Sequence, residues 1–249
     1  MRGAVLALES VSKSFEGNAV LRAIDLEIHR GETLSILGGS GIGKSVTLKL
    51  LIGLLRVDSG RVFFRDRDVT ALNERGWTEV RRHFGMVFQG SALFDSLSVL
   101  ENVAYPLREH TDKTDAEIRR VVAEKLALVG LEGIEELLPA ELSGGMRKRV
   151  GVARAVAMDP EVILYDEPTT GLDPANARRI AELIRSLQRR LGVTSVVVTH
   201  DLPVCFEVSD RIGLLHAGTI VQLDTPEALR SQPGEAMREF LGGTALPSA

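Results

Sequence analysis

The stretch "ETLSILGGSGIGKSVTLKLLIGLL", residues 32–55, decides how the rest of the chain is read. Its opening, "ETLSILG" (32–38), has the length and apolar content of a short buried strand, and "KSVTLKLLIGLL" (44–55) has the periodicity of a helix with a broad apolar face. Between them "GGSGIGKS", Gly38 to Ser45, fits G-x-x-x-x-G-K-[ST] at every fixed position, with a strand before it and a helix after it. Glycines let such a loop turn its backbone N–H groups inward onto phosphate oxygens, and the helix N-terminus adds a favourable dipole. Gly38, Gly39, Ser40, Gly41, Ile42 and Gly43 are therefore a candidate phosphate cradle. Lys44 is expected to reach the β- and γ-phosphates of a nucleotide, Ser45 to offer its hydroxyl to Mg²⁺, and Val46 to offer its backbone N–H. The competing reading is a Gly-rich turn before an ordinary helix, and the strand–helix context weighs against it.

The surrounding chain alternates strands and helices. "AVLALE" (4–9) and "RAIDLEIH" (22–29) read as half-buried strands, and "RVFFR" (61–65) follows the turn "DSG" (58–60). From about Gly90 to Gly145 strand signals thin out. "SVLENVAYPL" (98–107) and "TDAEIRRVVAEKLALVG" (114–130) read as helices, the second carrying an apolar stripe of Ile118, Val121, Val122 and Leu126. The pattern then resumes with a strand at "EVILYD" (161–166), a helix at "PANARRIAELIRSLQRRLG" (174–192) and a strand at "TSVVVT" (194–199). A hairpin, "RIGLL" (211–215) with "TIVQL" (219–223), precedes a helix opened by Thr225 as N-cap. The alternation predicts an α/β fold with a mainly parallel core sheet, interrupted by an α-helical insertion.

Composition narrows the classes. A net charge of -4 argues against a nucleic-acid partner. The single cysteine, Cys205, excludes a disulfide framework and a two-thiolate metal site, fits a reduced intracellular setting, and reads as a small core or surface residue. "MRGAVLALES" lacks the apolar core of a signal peptide, and no apolar run approaches the roughly 18 residues that span a bilayer. A membrane role is expected to come through a partner.

Several residues that follow strand ends have chemistry that suits a nucleotide. "VILYDEP" (162–168) ends a buried strand with Asp166 and Glu167, an expensive place for paired charge unless a cation compensates it. Asp166 suits Mg²⁺; Glu167, projecting differently, suits orienting water; a solvated acid pair is the alternative. Gln89 closes "GMVFQ" and suits Mg²⁺ and the attacking water; His200 closes "VVVTH" and suits a γ-phosphate. In parallel sheets ligands collect beyond the carboxyl ends of strands, which is where Lys44, Gln89, Asp166, Glu167 and His200 all fall. A second anion device stands at "LSGGMRKRVGVARA", from Leu142: Ser143 suits a helix N-cap, and Gly144 and Gly145 permit close approach to phosphate. Arg147, Lys148 and Arg149 read as solvated or interface charge.

Taken in order, "GGSGIGKS", "MVFQ", "LSGGM", "VILYDEP", "GLDP" and "VVVTHD" resemble the complete motif set of ABC-transporter ATPase subunits over about Val5 to Leu241. The resemblance implies a P-loop NTPase fold in a single ABC ATPase domain. Residues 1–89 and 146–249 would form the core with an N-terminal antiparallel β part, and about 90–145 the helical subdomain. It implies ATP and Mg²⁺ as cofactors, Mg²⁺ on Ser45, Gln89 and Asp166, and Glu167, Gln89 and His200 as the catalytic set. Phe15, in "VSKSFEG", falls where the family stacks an aromatic on adenine, with core packing as its alternative. Leu142, Ser143, Gly144, Gly145 and Met146 would act on the nucleotide of a second copy, paired head to tail, with Asp173 in the D-loop between them.

A narrower similarity, in "FQGSALFDSLSVLENVAYPLREH" (88–110), "GKSVTLKLLIGLL", "LSGGMRKRV" and "MREFLGG" (237–243), is to the ATPases of Mla/Mce-type lipid transport systems. It implies a homodimer of ATPase subunits, a multipass membrane permease whose coupling helix meets the helical insertion, an Mce-domain lipid-binding protein and, in some systems, a STAS-domain subunit. The location implied is the cytoplasmic face of the inner membrane. Val46 departs from the hydroxyl residue many members have, and Met146 from the usual Gln. Eight residues follow Leu241, so a long tail clasping a neighbour is not expected. An importer ATPase for amino acids or another small solute shares the same motifs. A soluble ABC protein of translation or DNA repair is the remote alternative; such proteins usually carry two cassettes or long coiled-coil insertions, and this chain shows one cassette and no heptad run.

Overall fold

The computed structural model describes residues 3–242, so Gly243 of "MREFLGG" and the short tail beyond it lie outside the described residues. Two compact units divide the chain: one made of residues up to Arg81 together with those from Thr194 on, the other of Arg82–Val193.

The first unit opens with β1 (Ala4–Phe15) and β2 (Asn18–His29), followed by β3 (Thr33–Leu37), α1 (Lys44–Leu51), β4 (Ser59–Phe64), β5 (Arg67–Asp68) and α2 (Glu74–Arg81). One sheet has the order β2-β1-β4-β5 and is antiparallel throughout. β1 runs six residues past the predicted strand because register shifts after Leu8 and Val11 break the alternation that the sequence would show. Asp25 accepts from the Ser10 N–H at 2.8 Å, and Ser12 Oγ from the Ala23 N–H at 2.9 Å, which keeps the bulged polar segment satisfied. α1 stops at Leu51 instead of continuing to Leu55. Gly53 turns the chain with φ 64°, and a Cβ there would lie 2.1 Å from the Trp77 ring of α2.

The second unit contains β6 (Phe84–Val87), α3 (Val99–His110), α4 (Asp115–Leu128), a 3₁₀ turn at Pro139–Glu141, α5 (Gly144–Ala155), β7 (Val162–Asp166) and α6 (Pro174–Leu191). β6 and β7 pair in parallel from Phe84↔Val162 to Val87↔Tyr165. α3 and α4 begin in capping boxes, Ser98 with Glu101 and Thr114 with Glu117, which start both helices where the sequence places them. Ile118, Val122 and Leu126 of the predicted stripe are buried. Gly85 lets β6 lie against α5, where a Cβ would fall 2.2 Å from the Ala155 carbonyl oxygen.

The first unit resumes with β8 (Thr194–Thr199), α7 (Leu202–Val208), β9 (Arg211–His216), β10 (Thr219–Asp224), α8 (Pro226–Ser231) and α9 (Glu235–Leu241). Its strands run in the order β10-β9-β3-β8, with β3 parallel to both β8 and β9 and with β9–β10 the expected hairpin. Thr225 caps α8 by accepting from the Ala228 N–H at 3.2 Å. Cys205 is a core residue packed with Leu37, Phe206, Ile212, Leu214, Leu229 and Met237, and burial pushes its thiol pKa up to about 12. It is therefore an inert thiol.

Asn102 of α3 is fully buried and organises the chain before its own helix. Its Oδ1 accepts from the Phe94 N–H at 2.8 Å, and its Nδ2 donates to the carbonyls of Phe94, Leu97 and Ser98 at 3.1, 3.0 and 3.0 Å. Asn102→Ala strands those groups, so we expect a loss of about 2–3 kcal/mol in urea unfolding. A loss under about 0.5 kcal/mol would show that water replaces the amide.

Candidate nucleotide site

In the first unit the Gly-rich loop connects β3 to α1. A Cβ at Gly38 would lie 2.2 Å from Ile42 Cδ1 and 2.7 Å from the Leu215 carbonyl oxygen, and Gly41 and Gly43 have φ of 77° and 111°. Gly43 is also the N-cap of α1. It supplies no side-chain cap, and the first turn carries no acid, so no side chain of this helix start competes for its amide donors or its dipole. Lys44 is 5% exposed, and its ammonium donates to the carbonyls of Gly38 and Gly39 at 2.9 and 2.8 Å. The lysine thus clasps the loop from inside. The register Leu37↔Thr199 sets the start of this loop and His200 at the same carboxyl end of neighbouring parallel strands. Phe15, last residue of β1, is 40% exposed with Lys13 Nζ 5.4 Å from its ring centre, so it is not a core residue.

In the second unit β7 is fully buried until Asp166 and Glu167, each 7% exposed. Glu167 has φ 47°, a left-handed conformation that a non-glycine residue holds only where its surroundings impose it. Thr170 Oγ1 donates to Glu167 Oε2 at 3.4 Å. The pairing of Val87 with Tyr165 brings the turn that carries Gln89 to the same edge as the acids. Among the described residues no group of three or more His, Cys, Asp or Glu side chains could hold a metal ion.

The signature segment is anchored at one end and open at the other. Leu142 is buried, with its carbonyl accepting from Arg147 Nη1 at 2.8 Å; Ser143 and Gly144 are exposed. Ser143 caps α5, its Oγ accepting from the Met146 N–H at 3.2 Å. A Cβ at Gly145 would lie 2.9 Å from Asn176 Oδ1. Asn176 is itself bound to Asp173, the N-cap of α6, through its N–H at 2.9 Å and Nδ2 at 2.6 Å. Those two bonds, the backbone one foremost, hold the Asp173 carboxyl below the usual range.

In the basic run after the signature Arg147 is exposed as expected, whereas Lys148 departs from the expectation of solvated charge. Arg149 donates to the carbonyls of Val129 and Gly130 at 3.2 and 2.9 Å, and Lys148 is buried with its ammonium on the Gln89 carbonyl. Reading the run as solvated charge overlooked that Lys148 shares a helix face with Gly151, Val152 and Ala155 at i+3, i+4 and i+7. The same unit holds an apolar groove of about 480 Å³ lined by Phe84, Met86, Phe94, Tyr105, Pro106 and Met158. The half-exposed rings of Phe94 and Tyr105 stand 4.9 Å apart at its rim.

The ABC transporter family model matches residues 21–170. The chain is 42% identical over 244 residues to the probable ribonucleotide transport ATP-binding protein mkl of Mycobacterium tuberculosis, a match spanning 98% of this chain and 68% of that one. It is 39% identical over 238 residues to the intermembrane phospholipid transport system ATP-binding protein MlaF of Escherichia coli K12, spanning 96% and 88%. Among solved structures, cbiO1 of Clostridium perfringens, part of the cbiONQ ABC transporter complex, superposes with a TM-score of 0.85 at 30% identity over 97% of this chain and 96% of that one. The dimeric post-hydrolysis ATP-binding cassette MJ0796, bound to ADP and Pi, gives 0.82 at 34% identity over 89% and 98%. The α/β architecture is that of a P-loop NTPase cassette, and the chain belongs to the ABC transporter family as one of its ATP-hydrolysing subunits.

Proposed function

We propose that this ATPase powers the movement of lipid, phospholipid above all, through a multipass permease of Mla/Mce type, working as a head-to-tail homodimer at the cytoplasmic face of the inner membrane. The observation that carries the nucleotide chemistry is Lys44, buried beneath a helix start with no side-chain cap and bonded only a loop's width from where phosphates would lie. Identity to MlaF over nearly the whole chain supports lipid as cargo. Identity to mkl favours a second reading, a ribonucleotide or other small-solute transporter. Partner capture from detergent-solubilised membranes separates them: an Mce-domain protein and co-purifying phospholipid support the first, a soluble solute receptor the second. A STAS-domain subunit is a further expected member of the lipid complex.

On this reading adenine stacks on Phe15, and the triphosphate enters the amides of Gly38 to Val46. The Lys44 ammonium exchanges the Gly38 and Gly39 carbonyls for phosphate oxygens, a short movement for a side chain already in place. Asp166, Ser45 and Gln89 are hard oxygen donors of the kind Mg²⁺ takes, too few for a self-contained metal site and suited to an ion that also binds phosphate and water. Bound there, Mg²⁺ would neutralise phosphate charge. Glu167 orients and polarises the attacking water from its constrained backbone, and His200 donates to the γ-phosphate. Ser143, Gly144, Gly145 and Met146, held by Leu142, complete the site of the other copy, with Asp173 at the seam. The permease's coupling helix docks in the groove between Phe94 and Tyr105.

Glu167→Gln is expected to bind ATP within about threefold of the native affinity and to lose turnover by about 10²-fold or more. Phosphate release and equilibrium nucleotide binding check this, and ordinary turnover would remove Glu167 from the role. Ser143→Ala is expected to bind ATP as a monomer and to fail to dimerise with ATP in size-exclusion chromatography on the Glu167→Gln background. It also loses a helix cap worth about 1 kcal/mol, which a melting curve isolates. Phe94→Ser together with Tyr105→Ser is expected to abolish co-purification with the permease; undiminished capture would place docking elsewhere.

A further inference from the structure

We propose that Lys148 is a positioning residue for ATP hydrolysis: its buried ammonium fixes the Gln89 turn and offsets the charge of Asp166 and Glu167, tying the signature helix to the acid pair. The inference rests on the roles proposed above for those two acids.

Three observations within the second unit converge on this residue. First, Lys148 is 6% exposed, so its charge is removed from water and must be answered inside the protein. Its ammonium donates to the Gln89 carbonyl and lies within electrostatic reach of Glu167 and Asp166, whose fields favour the charged lysine while burial opposes it. Second, the turn it grips is conformationally costly. Ser91 and Ala92 are consecutive non-glycine residues at φ 63° and 48°, a pair that the backbone does not hold unaided. Third, α5 holds that turn at two further points on the same face. Gly151 lets it approach, with a virtual Cβ 3.4 Å from Ser91, and Arg154 donates to the carbonyls of Ser91 and Ala92 at 2.9 and 2.7 Å. A helix capped by Ser143 of the signature thus grips the Gln89 turn through Lys148 and Arg154. Burial is the one influence that shifts Arg154, whereas Lys148 also feels both carboxylates.

Charge and hydrogen bond predict separable effects. Lys148→Met removes both, Lys148→Gln keeps a donor without the charge, and Lys148→Arg keeps both. We expect Lys148→Met to lower kcat about tenfold or more, with KM for ATP within about threefold, because the nucleotide is held by Lys44 and the loop while the Gln89 turn loses its anchor and the acid pair its charge balance. Lys148→Arg should stay within about threefold of native kcat, and Lys148→Gln should fall between the two. A second readout does not depend on turnover. With the Lys148 charge removed the acid pair attracts a divalent cation more strongly, so Mn²⁺ titrated by EPR in the presence of a non-hydrolysable ATP analogue should bind about threefold or more tighter in Lys148→Met and Lys148→Gln.

Native kcat in Lys148→Met, or Mn²⁺ binding that is unchanged or weaker in both neutral variants, overturns the proposal, since loss of mere packing would loosen the site. If Lys148→Met fails to fold, the comparison of Lys148→Arg with Lys148→Gln decides: equal losses in both overturn it. Glu167→Gln run alongside separates the two readings. Normal turnover there defeats the role of the acid pair, whereas a dead Glu167→Gln beside a normal Lys148→Met defeats only Lys148.

Discussion

Charge taken out of water must be answered locally, and the working parts of both units are arranged around that constraint. In the first unit the buried Lys44 ammonium is satisfied by two carbonyls of the loop it belongs to, so the loop is closed before any anion arrives. In the second unit two nearly buried carboxylates stand at the end of β7, and Lys148 of α5 feels the field of both while donating to the Gln89 carbonyl. In each unit a buried cation is held by backbone carbonyls, which fixes the segment that supplies them.

Local chemistry explains what was legible in the sequence. The loop Gly38 to Ser45 was readable because its glycines answer to backbone geometry, two with positive φ and one with no room for a Cβ. α4 and α6 were readable from their apolar periodicity, and α8 from its Thr225 cap and Pro226. β7 and β8 were readable as continuous buried runs. What failed depended on partners distant in sequence. α1 stops early because Trp77 occupies the space beside Gly53, and β1 outlasts its alternation because Asp25 and Ser12 rescue its bulges.

The site followed the same division. Strand-end residues such as His200 and Asp166 could be named because parallel pairing dictates where strands end. Lys148, Arg154 and Asn102 were missed because a lysine, an arginine and an asparagine on a helix look like solvent-facing residues until the segment they grip is known. Asn102 holds four backbone groups around Phe94, so the rim of the apolar groove is set by a polar core residue. Sequence patterning registers the apolar lining and is silent on the amide beneath it.

The contact between Gly145 and Asn176 has a consequence for how this surface can change over time. Any side chain at 145 must push the Asn176 amide aside, which costs its Nδ2 bond to Asp173 and leaves the backbone N–H bond to cap α6 alone. A change in the signature is therefore felt at the cap of a helix that begins some thirty residues later in the chain. The two positions are neighbours, so the effects of substitutions at 145 and 176 are coupled and do not simply add.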